Sequence, residues 1–286
     1  MELYNETKFL IKKYKISANK SLGQNFLVNE EVINDAINSS DIKKEDLVIE
    51  IGPGLGTLTK YLLEKAGKVI AIELDNRMIE VLNDRFNIYN NFEIINNDVL
   101  KVDLKSLIQK EKNEGNIKNI KIVANLPYYI TTPIIMKLLE EKLDIDSITV
   151  MVQKEVASRL TSIPGGKNSG AITYSVYYYS EAEEIKLVPS NSFIPAPDVE
   201  SQVIKLTLRK EPIVKMKDEE LFFKIIKVSF MQRRKTLLNS ISNSGLVSKE
   251  EIKRILEKLE IDIRVRGESL SIEQFSDISD EIFKLK

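Results

Sequence analysis

Short apolar runs and segments with helical spacing alternate along the first 150 residues of the chain. Apolar runs with the length of a buried strand occur at residues 47–51, 68–73, 92–95 and 120–124. Between them, segments such as residues 57–64 repeat apolar positions every three or four residues, as an amphipathic helix does. This alternation predicts a parallel sheet with helices on both faces, extending to about Met151.

The C-terminal part of the chain has a different pattern. After two predicted strands at residues 184–188 and 202–208, only helical periodicity remains, and Gly245 and Gly267 interrupt it. Helices are predicted near residues 218–231, 233–241, 248–259 and 271–284. We therefore predict three regions: an N-terminal arm at residues 1–28, an α/β domain at residues 29–208 and a small α-helical domain at residues 209–286.

Residues 110–119 and residues 171–179 have patterns that predict a surface loop and a buried helix, respectively. Residues 110–119 are polar, and we predict a surface loop there before the strand at residues 120–124. Residues 171–179 contain four tyrosines with the apolar spacing of a buried helix. We interpret these tyrosines as core residues rather than as stacking groups for a nucleic acid.

Chemically distinctive residues follow three of the strands where each strand ends. The first strand leads directly into a Gly-Pro-Gly-Leu-Gly turn at residues 52–56, where glycine lets the backbone approach a ligand closely. The second strand ends in Glu73, which suits ribose hydroxyls, and the third is followed by Asp98, which suits an adenine amino group. Gly52, Gly54, Glu73 and Asp98 predict a nucleoside cofactor. Nicotinamide dinucleotides and S-adenosylmethionine both fit so far, although the glycine order differs from a dinucleotide fingerprint.

The fourth strand leads into Asn125, Leu126, Pro127 and Tyr128. Pro127 ends the strand because it lacks a backbone N–H, and it biases Leu126 toward extended geometry. The side-chain oxygen of Asn125 and the carbonyl of Leu126 can then converge beside the ring of Tyr128. Two acceptors and an aromatic plane suit a flat group bearing NH2, such as adenine in an unpaired or flipped nucleotide. A strand-to-helix turn without any binding role would use the same residue types.

The composition narrows the chemistry, because the chain contains neither Cys nor His. Thiol nucleophiles, disulfides, imidazole bases and the usual zinc or iron–sulfur sites are excluded, and we expect no metal. Methyl transfer to an amine suits this composition, because the cofactor carries the hard chemistry. The N-terminal residues lack a signal pattern and no apolar run reaches membrane length, so we expect a cytoplasmic protein without membrane contact.

The net charge of −1 is unevenly distributed. Residues 1–28 carry +3 and residues 205–286 carry +4, which leaves −8 for residues 29–204. Phosphate contacts are therefore expected from the two basic flanks. Arg233, Arg234 and Lys235 form the densest cluster, and we predict that they bind RNA. For any single lysine elsewhere, an ordinary solvated position on the surface is as good an explanation as a contact with phosphate.

An ordered set of motifs between about Lys20 and Asn239 resembles the rRNA adenine N6,N6-dimethyltransferase family, especially its bacterial small-subunit members. The motifs are residues 22–27, 50–56, 73, 97–98, 125–131, 153–157, 193–201 and 230–238. The resemblance implies a Rossmann-like methyltransferase sheet with helices on both faces and a small C-terminal α-helical domain that binds RNA. It also implies S-adenosylmethionine as the cofactor. The implied partner is 16S rRNA within the small ribosomal subunit or its precursor, and we expect the enzyme to be a monomer.

The resemblance further assigns residues and a reaction. The cofactor-binding residues would be Asn25, Leu27, Gly52, Gly54, Glu73, Asp98 and Asn125, with the arm of residues 1–28 closing over the cofactor. The catalytic residues would be Asn125, Leu126, Pro127, Tyr128 and Phe193. Phe193 would cover the second face of the target adenine, unless it is a core residue beside a proline turn. The implied reaction dimethylates two adjacent adenosines in the 3′-terminal hairpin loop of 16S rRNA, with a role in ribosome biogenesis.

Three other interpretations remain open at this stage. The sister family that dimethylates 23S rRNA and confers macrolide resistance is disfavoured by Leu22 and Gly23 before Gln24 and by the length of the helical tail. A non-catalytic ribosome-assembly factor is disfavoured by the intact residues at 125–128 and at the cofactor positions. A nicotinamide oxidoreductase is disfavoured by the glycine order and by the absence of His and Cys.

Overall fold

The computed structural model describes residues 2–19, 22–115, 117–232 and 234–285. The chain forms two compact units, of which the first comprises Met1–Ala157 with Ala182–Leu208 and the second comprises Ser158–Glu181 with Arg209–Lys286. The second unit thus includes residues that we assigned to the α/β domain on sequence. They belong there because Tyr174 and Tyr178 are buried in its core.

The strands have the bounds β1 (Phe26–Leu27), β2 (Asp46–Ile51), β3 (Lys68–Glu73), β4 (Phe92–Asn96), β5 (Asn119–Asn125), β6 (Ser147–Gln153), β7 (Ser180–Val188), β8 (Phe193–Ile194) and β9 (Ser201–Leu208). Every residue of β2 is buried, as expected for a central strand that is covered on both faces. The strands predicted from apolar runs are all present. The pattern therefore identified the sheet of the first unit correctly.

The order of the main sheet is β4-β3-β2-β5-β6-β9-β7. Ile49 of β2 pairs in parallel with Ile70 of β3 on one side and with Ile122 of β5 on the other. The chain builds outward from β2 to β4 and then returns to β5, so the direction of winding reverses next to β2. Open α/β sheets bind ligands at such a reversal, beyond the carboxyl ends of the strands. On its other side from β5, strand β6 pairs with β9, and this pairing is antiparallel.

The helices have the bounds α1 (Leu3–Lys13), α2 (Glu30–Ser39), α3 (Thr57–Lys65), α4 (Asn76–Phe86), α5 (Leu104–Glu114), α6 (Thr131–Glu140), α7 (Lys154–Thr161), α8 (Ala171–Tyr179), α9 (Glu219–Met231), α10 (Leu237–Asn243), α11 (Lys249–Lys258) and α12 (Ile272–Phe283). Helix α2 begins after Asn29, whose side-chain oxygen accepts from the backbone N–H groups of Glu31 (3.1 Å) and Val32 (3.3 Å). None of the helices in the described ranges combines the length and the apolar composition that a membrane span requires.

Helix α5 corrects one expectation from the sequence. We predicted a loop at residues 110–119, but the helix continues to Glu114. Glu111 is buried and accepts a hydrogen bond from the Lys68 ammonium group at 2.7 Å. The prediction was wrong for residues 110–114, because lysine and glutamate are good helix formers and a polar run does not distinguish a solvated helix from a loop.

The second unit has its own core, built from α8 and the helices α9 to α12. Tyr174 is fully buried, its ring meets Phe275 edge to face at 5.0 Å, and its hydroxyl donates to the Leu270 carbonyl at 2.6 Å. The tyrosines at 174 and 178 are therefore core residues, as their spacing indicated. A buried tyrosine is stable here because its hydroxyl has a partner.

Candidate cofactor and substrate site

A cavity lies at the carboxyl ends of strands β2, β3, β4 and β5. Its empty volume, including the open mouth, is about 1030 Å³, at the upper end of the range of about 300–1,000 Å³ for small-molecule sites. Ten of the residues singled out on sequence line it: Asn25, Leu27, Gly52, Gly54, Glu73, Asp98, Asn125, Leu126, Pro127 and Tyr128. In the described ranges, no cluster of three or more acidic side chains is arranged to hold a metal ion.

The glycine turn after β2 and the carboxylate at the end of β3 form one bonded unit. Gly52 and Gly54 have φ values of +67° and +56°, which glycine adopts without strain. The backbone N–H of Gly54 donates to Oε2 of Glu73 at 3.1 Å. A Cβ atom added to Gly52 would meet nothing within 4 Å, so a ligand can approach the backbone closely at this point.

Glu73 is buried, and backbone groups already occupy most of its acceptor capacity. Its Oε1 accepts from the N–H groups of Leu74 and Asp75, each at 2.8 Å, while Oε2 accepts from Gly54. A carboxylate offers about four lone-pair sites, so the free one is on Oε2. One ribose hydroxyl can therefore donate to Glu73 without displacing a backbone N–H. Burial raises the pKa of Glu73, and the three backbone donors oppose that rise.

Asp98 lies in a turn directly after β4. The N–H of Leu100 donates to Oδ1 of Asp98 at 3.0 Å, and the N–H of Asp98 donates to the side chain of Asn97 at 2.8 Å. These bonds fix the carboxylate while Oδ2 stays available for a donor in the cavity. An adenine amino group is a donor of the required kind.

Three contacts hold the segment that leads into β1. Gln24 donates from its side-chain amide to Asp75 at 2.9 Å. Phe26 packs on the glycine turn, since a Cβ atom on Gly54 would lie 3.4 Å from its ring. Strand β1 pairs antiparallel with β8. These contacts hold residues 22–27 along the cavity wall.

Asn125 is held in one orientation by the same segment. Its side-chain Nδ2 donates to the backbone carbonyl of Asn25 at 3.1 Å. A carbonyl is only an acceptor, so the atom facing it must be the nitrogen, and this contact assigns the amide orientation. The side-chain oxygen of Asn125 therefore remains available as an acceptor at the cavity.

The turn after Asn125 is also pinned. The carbonyl of Pro127 accepts from the N–H of Ile130 at 3.2 Å and from the hydroxyl of Thr131 at 3.1 Å. The hydroxyl of Tyr128 is 2.6 Å from the hydroxyl of Ser201 in β9, and Ser201 is fully buried. Partial burial raises the pKa of Tyr128, so its hydroxyl stays protonated near neutral pH. The ring is thus anchored at both ends before any ligand binds.

Phe193 is placed differently from the other predicted catalytic residues. It is 4% exposed and packs in the core of the first unit with residues such as Val123 and Met151. Its backbone pairs with Leu27, and it does not border the cavity. The sequence left two roles open for Phe193, and the observed contacts are those of a core residue. We therefore leave Phe193 out of the catalytic set.

Glu50 begins the motif at residues 50–56, but our sequence analysis gave it no role in the site. It lines the cavity from β2, is 1% exposed, and its Oε2 accepts from the hydroxyl of Thr59 at 2.6 Å. Burial raises the pKa of Glu50 to about 8, the Thr59 bond opposes the rise, and the charge of Glu73 adds to it. An acidic residue within an apolar strand could have been recognised in the sequence as a buried carboxyl. Its hydrogen bond to Thr59 could not.

Glu50 should make the stability of the ligand-free protein depend on pH. Because its folded-state pKa lies above the ordinary value of 4.5, its stabilising contribution is complete below about pH 4.5 and is lost as the pH rises to about 8. Glu50→Gln removes this titration. Urea unfolding at pH 5 and pH 8 gives the free energy of unfolding of both proteins. Between pH 5 and pH 8 the parent should lose more of this free energy than the variant, by on the order of a few kcal/mol.

The control for this experiment is Glu64→Gln on α3, which removes an exposed carboxylate. That variant should keep the pH profile of the parent. A difference between parent and Glu50→Gln that is the same at both pH values would contradict the buried, protonated carboxyl.

Arg234 and Lys235, from the predicted RNA-binding cluster, are exposed in the second unit. Neither forms a salt bridge with any residue in the described ranges. Lys224 and Lys227 on α9 are also exposed and lie one turn apart. Arg233 lies outside the described residues.

Comparison with known proteins identifies relatives over nearly the whole chain. A family model described as "Ribosomal RNA adenine dimethylase" matches residues 15–284. The chain is 49% identical over 280 residues to "Ribosomal RNA small subunit methyltransferase A" of Alkaliphilus metalliredigens (strain QYMF), covering 97% of this chain and 96% of that protein. It is 47% identical over 279 residues to the protein of the same name from Clostridioides difficile (strain 630), covering 98% and 96%.

Solved structures show the same fold. A dimethyladenosine transferase from Plasmodium falciparum superposes with a TM-score of 0.73 at 27% identity, covering 88% of this chain and 95% of that chain. The 23S rRNA methyltransferase ErmE superposes with a TM-score of 0.67 at 22% identity, covering 91% and 100%. At that identity the second similarity concerns the fold alone.

Proposed function

The chain belongs to the ribosomal RNA adenine dimethylase family, and we propose that it dimethylates the N6 amines of two adjacent adenosines in the 3′-terminal hairpin loop of 16S rRNA. Relatives at 47–49% identity carry a small-subunit name, which supports the small ribosomal subunit or its precursor as substrate. The likeness to ErmE, at 22% identity, gives no support to a 23S substrate. We expect the enzyme to act in ribosome biogenesis, in the cytoplasm and as a monomer.

The orientation of Asn125 is the observation that carries this proposal. Its amide nitrogen is committed to the Asn25 carbonyl, so its oxygen is presented to the cavity as a fixed acceptor. The carbonyl of Leu126 is the second acceptor of the pair. Together they accept the two N–H groups of an adenine amine and orient its lone pair toward the position in the cavity where the methyl group of the cofactor would lie. Acceptors that are fixed in advance stabilise the positive charge that develops on this nitrogen during methylation.

The residues along the cavity wall fit S-adenosylmethionine. Glu73 has one free lone-pair site for a ribose hydroxyl, Asp98 has a free oxygen for an adenine amino group, and Gly52 leaves the backbone accessible. Asn25 and Leu27 complete the wall from the N-terminal arm. When bound, the cofactor supplies an activated sulfonium methyl group.

Tyr128 holds the target base. Its ring borders the cavity beside Asn125, and the bond to Ser201 holds the hydroxyl end of the ring in place. Stacking of one adenine face on this ring positions the amine against the two acceptors. Restricting the amine in this way lowers the barrier by removing orientational freedom before the reaction. The first methylation leaves a positively charged nitrogen, which then loses one proton to water. A single N–H remains, so one of the two acceptors is sufficient for the second methylation.

We further propose a division of labour along the chain. The arm of residues 1–28 contributes to the cofactor site, the rest of the first unit carries out catalysis, and the second unit, most of which is residues 209–286, binds RNA. Arg234 and Lys235, which form no salt bridge within the described part of the chain, support the last assignment, and Arg233 is included on sequence alone. Within the arm, Lys13 is bonded to Asp84 at 2.7 Å and is less available to a phosphate.

Replacing Arg234 and Lys235 together by Gln should weaken binding to the small subunit and flatten its salt dependence. Each phosphate contact that is lost reduces the slope of log affinity against log salt by about 0.7–0.9. Affinity measured between 50 and about 200 mM salt gives the slope for parent and variant. Transfer at saturating subunit should change far less, because neither residue borders the cavity.

The matched control is Lys253→Gln with Lys258→Gln on α11. It removes the same charge from the same unit, but both lysines are paired with carboxylates, at 3.7 Å (Glu257) and 2.5 Å (Glu281). Equal slopes for the two double variants would mean that only net charge matters and would contradict phosphate contacts at Arg234 and Lys235.

The proposed function is tested by transfer of tritiated methyl groups from S-adenosylmethionine to unmodified small and large ribosomal subunits. Label should enter the small subunit, and digestion to nucleosides should give N6,N6-dimethyladenosine. Label in the large subunit alone would favour the 23S activity instead. Binding of the small subunit without any transfer would favour a non-catalytic assembly factor.

A further inference from the structure

Tyr129, the residue after Tyr128, borders the cavity and is 57% exposed. The proposed methyl transfer leaves this ring without a role, since Asn125, Leu126 and Tyr128 already hold the target amine and its base. Exposed aromatic residues are common on protein surfaces, so exposure by itself indicates nothing. Tyr129 differs because its ring is held in place at the point where a base would enter.

The backbone of Gly23 lies against the ring of Tyr129. A Cβ atom added to Gly23 would lie 3.4 Å from Cδ1 and 3.7 Å from Cε1 of Tyr129, and 3.5 Å from Cβ of Pro127. The bare glycine therefore packs against one edge of the tyrosine. The rest of the ring remains accessible at the mouth of the cavity.

The backbone under the ring is equally constrained. Tyr129 is the middle residue of a single 3-10 turn, Tyr128–Ile130, between β5 and α6. The hydrogen bonds from Ile130 and Thr131 to the Pro127 carbonyl close this turn at 3.2 and 3.1 Å. A ring on a turn that is already ordered loses little conformational freedom when it binds a partner.

A flipped nucleotide creates a need that such a ring can meet. When one base leaves the stack, the nucleotide next to it loses a stacking partner. Aromatic side chains supply that contact to unpaired bases, and they do so for any base because every base has a π face. We propose that Tyr129 is the stacking platform for the nucleotide adjacent to the target adenosine. The inference rests on the proposed methylation of rRNA, to which it adds a second contact.

Kinetics of Tyr129→Leu and Tyr129→Phe on unmodified small subunits test this role. Tyr129→Leu should raise KM for the subunit by about 5- to 150-fold, the loss expected for one base stacked on an aromatic ring. Tyr129→Phe retains the π face and should behave like the parent. The kcat at saturating subunit and the affinity for S-adenosylmethionine should be unchanged in both variants.

Tyr4→Leu is the matched control, because it removes a ring that is 43% exposed from a helix that does not border the cavity. An unchanged KM in Tyr129→Leu would overturn the stacking role. A loss of cofactor affinity as large as the loss of transfer would overturn it too, since the ring would then only support Gly23. If the parent transfers no methyl group to small subunits, the proposed function fails, and this inference fails with it.

Discussion

Asn125→Ala should lower the rate of methyl transfer at saturating substrates about 10²–10³-fold, the usual loss for one preorganised catalytic hydrogen bond. The variant removes the oxygen that accepts the target amine and also the nitrogen that bonds to the Asn25 carbonyl. Binding of S-adenosylmethionine should weaken less, because Glu73 and Asp98 are untouched. Single-turnover transfer to small subunits, with calorimetric titration of the cofactor, gives both quantities.

Asn119→Ala is the matched control for this variant. Asn119 is the same residue type at the opposite end of the same strand, where it donates to Asp46 at 2.8 Å. Asp46 keeps the Lys121 ammonium group at 3.0 Å, so the control should cost some stability and leave transfer intact. Near-normal turnover by Asn125→Ala would remove Asn125 from the catalytic role.

Glu73→Ala should weaken the binding of S-adenosylmethionine about 10- to 150-fold, which corresponds to the loss of one charged hydrogen bond of roughly 1.5–3 kcal/mol. The carboxylate also braces the glycine turn through Gly54. Lower affinity alone would therefore not distinguish a direct contact with the ribose from a disturbed turn.

Deoxy analogues of the product separate these two effects. The parent should bind S-adenosylhomocysteine more tightly than one of its 2′-deoxy and 3′-deoxy forms, because the carboxylate has a single free lone-pair site. The Glu73→Ala variant should bind all three compounds alike. A variant that binds each compound more weakly but keeps the preference of the parent would show that Glu73 acts on the turn alone. Circular dichroism verifies that the variant is folded.

Local features of the chain were predictable from sequence because they depend on neighbouring residues. Apolar runs of strand length, glycines that permit positive φ and a proline that ends a strand all act within a few positions. They sufficed to position Gly52, Glu73, Asp98 and Asn125 at or just beyond the carboxyl ends of four consecutive strands. Because parallel strands place their carboxyl ends at one edge of a sheet, the cavity followed from the same pattern.

Where local chemistry was ambiguous, the sequence alone misled or left the answer open. The polar residues 110–114 fit a loop as well as the solvated end of α5, and the contact of Lys68 with the buried Glu111 is not visible in the sequence pattern. Phe193 fitted both a stacking role and a core role on sequence, and only the structure shows that its side chain is buried and does not line the cavity.

The sequence by itself determined which elements form and which chemical groups stand at their ends. Tertiary structure alone decided that Asn25 orients Asn125 across 100 positions of the chain and that Ser201 anchors Tyr128 across 73. It also decided that Glu50, with one hydroxyl partner, has a raised pKa. The physical reason is that hydrophobic periodicity specifies the face that each element buries, whereas hydrogen-bond partners and desolvation depend on which distant segments the strand order brings together.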